Sequence, residues 1–305
     1  MARPACNRDP HFSGGDHQPG NPALVVNPSA RHTHTMILLH DLASHGGIFG
    51  RDLLKTGRAS SGKTLDGLFP GVRFVFPTAQ RRACQALEGA KVAMWFDVAS
   101  LRDPGQRQDL QHKGLCVSAR EIAAILQWET KLVPPGNIIL GGMGQGCATA
   151  LTVLLSLGYR LGGVIGMSGF LPYQFELEMN TAESSSDDDD DDSMTTSDGH
   201  AASPRLDPVV KAQLFERSLL QLRNVDNPTK DKTSFGTPVF LGHGTDDQVV
   251  SVALGEQATV ALRAAEYQVH WRRYANHGHG YKAPEEIDDI VEFVRTRVGL
   301  EPREG

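Results

Sequence analysis

The sequence predicts an α/β protein whose central sheet is mostly parallel and covered by helices on both faces. Three observations predict it: short β-rich runs alternate with helical patterns from Thr35 onward, several of those runs are apolar at nearly every position, and the chain closes on an amphipathic helix. A strand covered on both faces has no polar side to alternate with, and burial on both faces is the mark of a parallel sheet between helical layers.

The strand candidates, in order, are TMILL (35–39), VRFVF (72–76), NIILG (137–141), GVIGMS (163–168), PVFLG (238–242) and QVHWRRY (268–274). Between them, Leu115, Ala119, Ile122, Ile125 and Leu126 recur at helical spacing, and Ala148 to Leu157 is apolar almost all round, as a buried helix would be. In PEEIDDIVEFVRTRV, Ile287, Ile290, Val291, Val294 and Val298 share one face. Pro284, Glu285 and Glu286 suit the first turn of that helix, and Arg295 and Arg297 its last, because the helix dipole favours acids at the start and bases at the end.

A chain of 305 residues, 40% of them hydrophobic, is long enough to bury a substantial core. Its formal charge of -6 argues against a nucleic-acid partner, which needs clustered Lys and Arg. Cys6, Cys84, Cys116 and Cys147 show neither CxxC spacing nor a disulfide framework, so a reducing compartment is expected. Residues 1–21 are polar and rich in Gly and Pro, with no apolar segment of the signal-peptide kind, and read as a flexible tail on a cytoplasmic protein. Residues 22–299 form one domain, interrupted at 179–207 by a Ser-, Thr- and Asp-rich insertion containing Asp187 to Asp192, and 300–305 form a second tail. The insertion has too little apolar surface to offset its ordering entropy and is expected to be disordered.

The stretch NIILGGMGQGCATAL (137–151) carries the chemistry. As a dinucleotide loop it fits poorly: Cys147 takes the place of the third glycine, and the next strand ends at Met167 and Ser168 without a carboxylate for a ribose. As strand, GxSxG and helix it fits in everything but its centre. Gly142 and Gly146 flank the turn, and Gly144 stands where the nucleophilic serine belongs. Such a turn needs an acid and a histidine after later strands. HGTDDQVV supplies Asp247, with Asp246 beside it, and ANHGHGY supplies His279.

With these segments the chain resembles the acyl-protein thioesterase and carboxylesterase family of α/β-hydrolases, especially its filamentous-fungal branch, over roughly residues 22–298. The matching stretches are HTHTMILLH, GKTLDGLFPGVRFVFPTAQRR, MWFDVASLRDPGQRQDLQHKGL, IILGGMGQGCATAL, LGGVIGMSGFLP, HGTDDQVV and HGHGYKAPEEIDDIVEFV. The resemblance implies an α/β-hydrolase fold, Asp247 as triad acid, His279 as triad base and Gly144 at the nucleophile position. It implies backbone oxyanion donors at Leu42 and Gln145, and a pocket near His40, Asp41, Met143, Trp95 and Phe96. It implies no cofactor and no metal.

Two departures matter. Gly144 has no hydroxyl, so it can carry no covalent acyl step, although glycine relieves the backbone strain of the turn. In LLHDLASHGG, Asp41 replaces the family's glycine, and a carboxylate beside the oxyanion hole opposes a developing oxyanion unless it turns outward to solvent. Asp also tolerates left-handed backbone angles, which leaves the fold intact. The expected protein is a hydrolase homologue with impaired catalysis that retains a pocket for a small acyl ester, a thioester or an acylated protein. The alternatives are hydrolysis, or another pathway reaction, by a water held between His279 and Asp247, and, more remotely, nucleotide binding. Cys147 is expected to pack in the following helix, and Ser168 to end its strand on hydrogen bonds. The pairs His32 with His34 and His277 with His279 lack a third defined ligand for a metal.

Overall fold

The computed structural model describes residues 12–14, 24–182 and 206–303. Asp187 to Asp192, Cys6 and most of the first 21 residues lie outside them. Ten strands are described: β1 (Phe12–Gly14), β2 (Leu24–Val26), β3 (His34–Leu39), β4 (Val72–Phe76), β5 (Arg81–Cys84), β6 (Ala90–Ala93), β7 (Ile138–Met143), β8 (Gly163–Met167), β9 (Val239–Gly244) and β10 (Val269–Tyr274). Eight of them form one sheet in the order β1-β2-β4-β3-β7-β8-β9-β10, and β5 with β6 make a separate hairpin. β3, β4, β7, β8, β9 and β10 run parallel, and β2 joins β4 antiparallel.

All six strands expected from the sequence are present. β1, β2, β5 and β6 are additional, short or half-exposed segments of three or four residues whose patterns carry little periodicity. Phe12–Gly14 pairs antiparallel with Leu24–Val26, so part of the expected N-terminal tail extends the sheet.

The helices are α1 (Gly46–Thr56), α2 (Leu65–Leu68), α3 (Asp109–Glu129), α4 (Gln145–Ser156), α5 (Gln174–Thr181), α6 (Pro208–Leu219), α7 (Val252–Ala264) and α8 (Glu285–Phe293). Alternate side chains of each strand feed two cores. Ile37, Leu39, Ile138 and Leu140 pack with α3, α4, α6 and α7, whereas Met36, Leu38 and Ile139 pack with α1, α2 and α8. Every residue of α4 is buried, because it lies against β7 and β8 beneath α3 and α6.

Two details differ from the sequence reading. α8 ends at Phe293 and passes into a wider π turn over Val294–Val298, closed by Gly299 at φ 79°. Glu286, which lies in the first turn as expected from the helix dipole, is fully buried and accepts a hydrogen bond from Lys282 N–H at 2.9 Å. The expected insertion begins in helix, because Met179 to Thr181 complete α5, and its last residue, Asp207, immediately precedes α6.

Candidate active site

The carboxyl ends of β3, β7, β9 and β10 point to one rim, where ligands of open α/β sheets bind. The loops after them carry Asp41, Gly144, Asp247 and His279. Residues more than 200 apart in sequence meet there because neighbouring parallel strands end at the same level.

Gly144 is the sharp bend between β7 and α4. Its backbone angles are φ 53° and ψ −117°, in a region that costs a side chain about 1–3 kcal/mol of strain. Its N–H donates to Met167 O at 2.9 Å, tying the bend to β8. Gly142 and Gly146 let strand and helix close on each other, since a Cβ on Gly146 would strike the Leu39 and His40 carbonyls.

His279 lies between two carboxylates. Its Nδ1 is 2.8 Å from Asp247 Oδ2, and its Nε2 is 2.9 Å from Asp41 Oδ2. Burial alone would lower the imidazole pKa, but the hydrogen bonds and charges of Asp247 and Asp41 outweigh it and raise it to about 9. His279 therefore holds a proton at neutral pH and donates from both ring nitrogens.

Asp247 is fixed from its own loop. Its Oδ1 accepts the N–H groups of Val249 at 2.8 Å and Val250 at 2.9 Å, and its Oδ2 also lies 3.3 Å from His243 Nε2. Burial would raise its pKa, yet the hydrogen bonds from His243, His279 and Val250 N–H hold the carboxyl well below the usual range. Asp246, its neighbour, is exposed and turned toward Thr245.

Asp41 does not turn outward to solvent. Its Oδ1 accepts the Gln145 N–H at 2.7 Å, the donor that the resemblance assigns to the oxyanion, and its Oδ2 meets His279. A Cβ built on Gly144 would collide with Oδ1, Cγ and Oδ2 of Asp41. The carboxylate thus fills the space that a side chain at residue 144 would need. The left-handed residue of this loop is Ala43, at φ 59°, and Asp41 has no positive φ to tolerate.

His40, Trp95 and Phe96 are buried supports and do not line the cavity beside Asp41. His40 Nε2 accepts from Ala79 N–H at 3.0 Å, so its Nδ1 carries the proton and donates to Asp41 O at 2.6 Å. Burial keeps it neutral by lowering its pKa to about 4. Trp95 Nε1 donates to His40 O, and the Gln145 amide bridges Trp95 N–H and Phe96 O, at 2.8, 2.8 and 2.7 Å. These contacts fix the loop that presents Asp41. Met143 packs in the core on the opposite side of the sheet.

The cavity, of about 160 Å³, opens beside Asp41, Leu42 and Gln145, and its wall is apolar: Leu87, Val98, Leu101, Phe170, Val249 and Val250. None of these wall residues was legible as such in the sequence, because they come from four separate connections. His243 and Ser168 were also missed as site residues. Ser168, at φ 48°, donates its Oγ to Gly280 O at 2.9 Å and accepts Gly280 N–H at 3.2 Å, clasping the loop that carries His279.

Cys147 is fully buried, and burial pushes its thiol up to about 12, so it packs against Gly166 and Gly169 and supplies no thiolate. His32 and His34 sit far from the rim, bonded to Thr35 and Thr33. Among the described residues no group of three or more His, Cys, Asp or Glu side chains is arranged to hold a metal ion.

The phospholipase/carboxylesterase family model matches residues 21–188. The acyl-protein thioesterase 1 of Yarrowia lipolytica is 25% identical over 285 residues, covering 92% of this chain and 99% of its own length. That of Neurospora crassa is 25% identical over 280 residues, covering 91% of this chain and 92% of its own. Among solved structures, Zea mays acyl-protein thioesterase 2 superimposes with a TM-score of 0.61 at 23% identity, over 92% of this chain and all of that one (100%). Arabidopsis thaliana SOBER1 gives 0.60 at 19% identity, over 88% and 100%. The fold is therefore the α/β-hydrolase fold of these neighbours, and the chain belongs to the phospholipase/carboxylesterase family.

Proposed function

We propose that this protein keeps the acyl- or ester-binding pocket of its relatives and has lost serine-dependent acyl transfer. The observation that carries this reading is the Asp41 carboxylate seated on Gln145 N–H, in the volume that a serine side chain would fill. Without a hydroxyl at residue 144 no acyl-enzyme forms there, and an anion on the oxyanion donor opposes a tetrahedral oxyanion from any other attack. Loss of the nucleophile in a triad removes on the order of 10⁶ in turnover.

The ligand class is an acyl ester, a thioester or an acylated protein, supported by the apolar wall of the cavity and by relatives that are named acyl-protein thioesterases. In this reading Asp247 orients His279, and Leu42 and Gln145 frame the old oxyanion hole. A route in which His279 takes a proton from water is less well supported, because its Nε2 already donates to Asp41 near neutral pH. Cys84, Cys116 and Cys147 are free and buried, in keeping with a reducing, cytoplasmic setting. No helix among the described residues is long and apolar enough to cross a membrane.

The test is a serine-directed fluorophosphonate together with a short nitrophenyl ester. The natural chain is expected to take up no label and to hydrolyse the ester no faster than His279→Gln does. Labelling, or turnover lost in His279→Gln, overturns the proposal.

A further inference from the structure

Asp41 has the arrangement that a carboxylate needs to act as a nucleophile. One oxygen, Oδ1, rests on a backbone N–H, the other, Oδ2, meets the His279 imidazole, and the residue itself borders the cavity. We propose that Asp41 is a covalent nucleophile and that this site opens epoxides carried on apolar groups through an alkyl ester of Asp41. The proposal rests on the reading that no serine serves at residue 144, which fluorophosphonate labelling reports separately.

The geometry selects this substrate class by exclusion and by fit. Attack of a carboxylate on an acyl carbon gives an anhydride and generates an oxyanion on the substrate, for which the Gln145 N–H is already taken by Oδ1. Displacement at a saturated carbon places no such demand. The oxygen expelled from an epoxide does need a proton, and the His279 Nε2–H lies 2.9 Å from the attacking oxygen. The wall formed by Leu87, Val98, Leu101 and Phe170 accepts an apolar substituent.

In the first step Asp41 Oδ2 forms a bond to the epoxide carbon, the ring C–O bond breaks, and its electron pair takes the proton from His279 Nε2. The product is a hydroxyalkyl ester of Asp41 beside a neutral imidazole. Esterification removes one of the two carboxylate charges that hold the proton on His279, so the ring becomes a competent base for the next step. Water then attacks Cγ of Asp41 and passes a proton to His279. The oxyanion forms on Oδ1, already bonded to Gln145 N–H, so the old oxyanion hole serves the protein's own ester. Collapse breaks the Cγ–Oδ2 bond, the diol oxygen leaves with the proton returned by His279, and the carboxylic acid left on Asp41 ionises back onto the imidazole.

The experiment uses the full chain with styrene oxide as probe. A single turnover in oxygen-18 water, with protein in excess, is expected to give unlabelled diol and to place the label in the peptide containing Asp41. His279→Gln removes both the acid of ring opening and the base of ester hydrolysis, and is expected to lower diol formation by on the order of 10²–10⁴-fold or more. Asp41→Asn keeps the side-chain shape and is expected to lower diol formation by on the order of 10⁴-fold or more, with an unchanged circular dichroism spectrum. Label in the diol and none in Asp41 overturns the proposal, as does a folded natural chain that forms no diol, or a folded His279→Gln chain that forms diol as fast as the natural one.

Discussion

The Asp41 carboxylate, in the position where it meets Gln145 and His279, leaves no room for a side chain at residue 144: a Cβ on Gly144 falls inside the van der Waals envelope of Asp41 Oδ1. The two departures from the family pattern are thus one structural event. Glycine vacates a volume, and the carboxylate fills it while keeping both of the neighbouring donors, Gln145 N–H and His279 Nε2, satisfied.

It follows that Gly144→Ser alone does not rebuild a serine hydrolase. The substitution adds about 1–3 kcal/mol of backbone strain and forces Asp41 off its two donors. Fluorophosphonate labelling is expected to stay absent and the urea midpoint to fall. Gly144→Ser combined with Asp41→Gly is expected to gain both labelling and nitrophenyl ester turnover, with a stability cost smaller than the sum of the two single changes.

The charge on His279 links the site to stability. Its folded pKa, about 9, lies above the ordinary value of 6.5, so the folded state binds the proton more tightly than the unfolded chain does. This contribution is fully present below about pH 6.5 and is lost as pH rises through about 9. Asp41→Asn removes one of the two stabilising carboxylates, so an imidazole titration followed by NMR is expected to show a lower His279 pKa in that variant. An unchanged midpoint would show that Asp41 does not hold the proton.

Glu286 gives a second, separable pH dependence. Burial pushes its carboxyl up from 4.5 to about 8, so the folded chain carries a proton there that the unfolded chain has released. Stability from this group is present below about pH 4.5 and is lost as pH rises through about 8. Glu286→Gln is expected to stabilise the protein at pH 8 by on the order of a few kcal/mol and to flatten its profile of melting temperature against pH, while leaving the His279 titration in place.

Ser168 is expected to act on the site through the loop carrying His279. Ser168→Ala leaves Gly280 N–H and O without the hydroxyl that bridges them, at a cost of about 1–3 kcal/mol in chemical denaturation. Hydrogen exchange is expected to rise at residues 278–281, whereas protection of α4 should hold. Equal loosening of both would make Ser168 a core residue with no specific hold on the loop.

The sequence by itself determined the α/β layering, since six β-rich runs, several of them with buried-strand character, and three helical patterns need only local periodicity to be read. It also determined the order of bend, acid and histidine, because glycines at 142, 144 and 146 and the loops holding Asp247 and His279 are local in the chain. It did not determine where Asp41 points. From LLHDLASHGG an outward carboxylate and an inward one are equally readable, and only the fold brings Gln145 N–H from α4 and His279 from the loop after β10 to the two Asp41 oxygens. Burial of Glu286 escaped the same reading, because a first-turn glutamate looks ideal beside a helix dipole until β9 and β10 are packed over it. Local rules reach as far as a residue's own element. The role of Asp41 and the protonation of His279 are set by groups tens to hundreds of residues away in the chain, which only tertiary packing brings within hydrogen-bonding distance, and that of Glu286 is set by its burial.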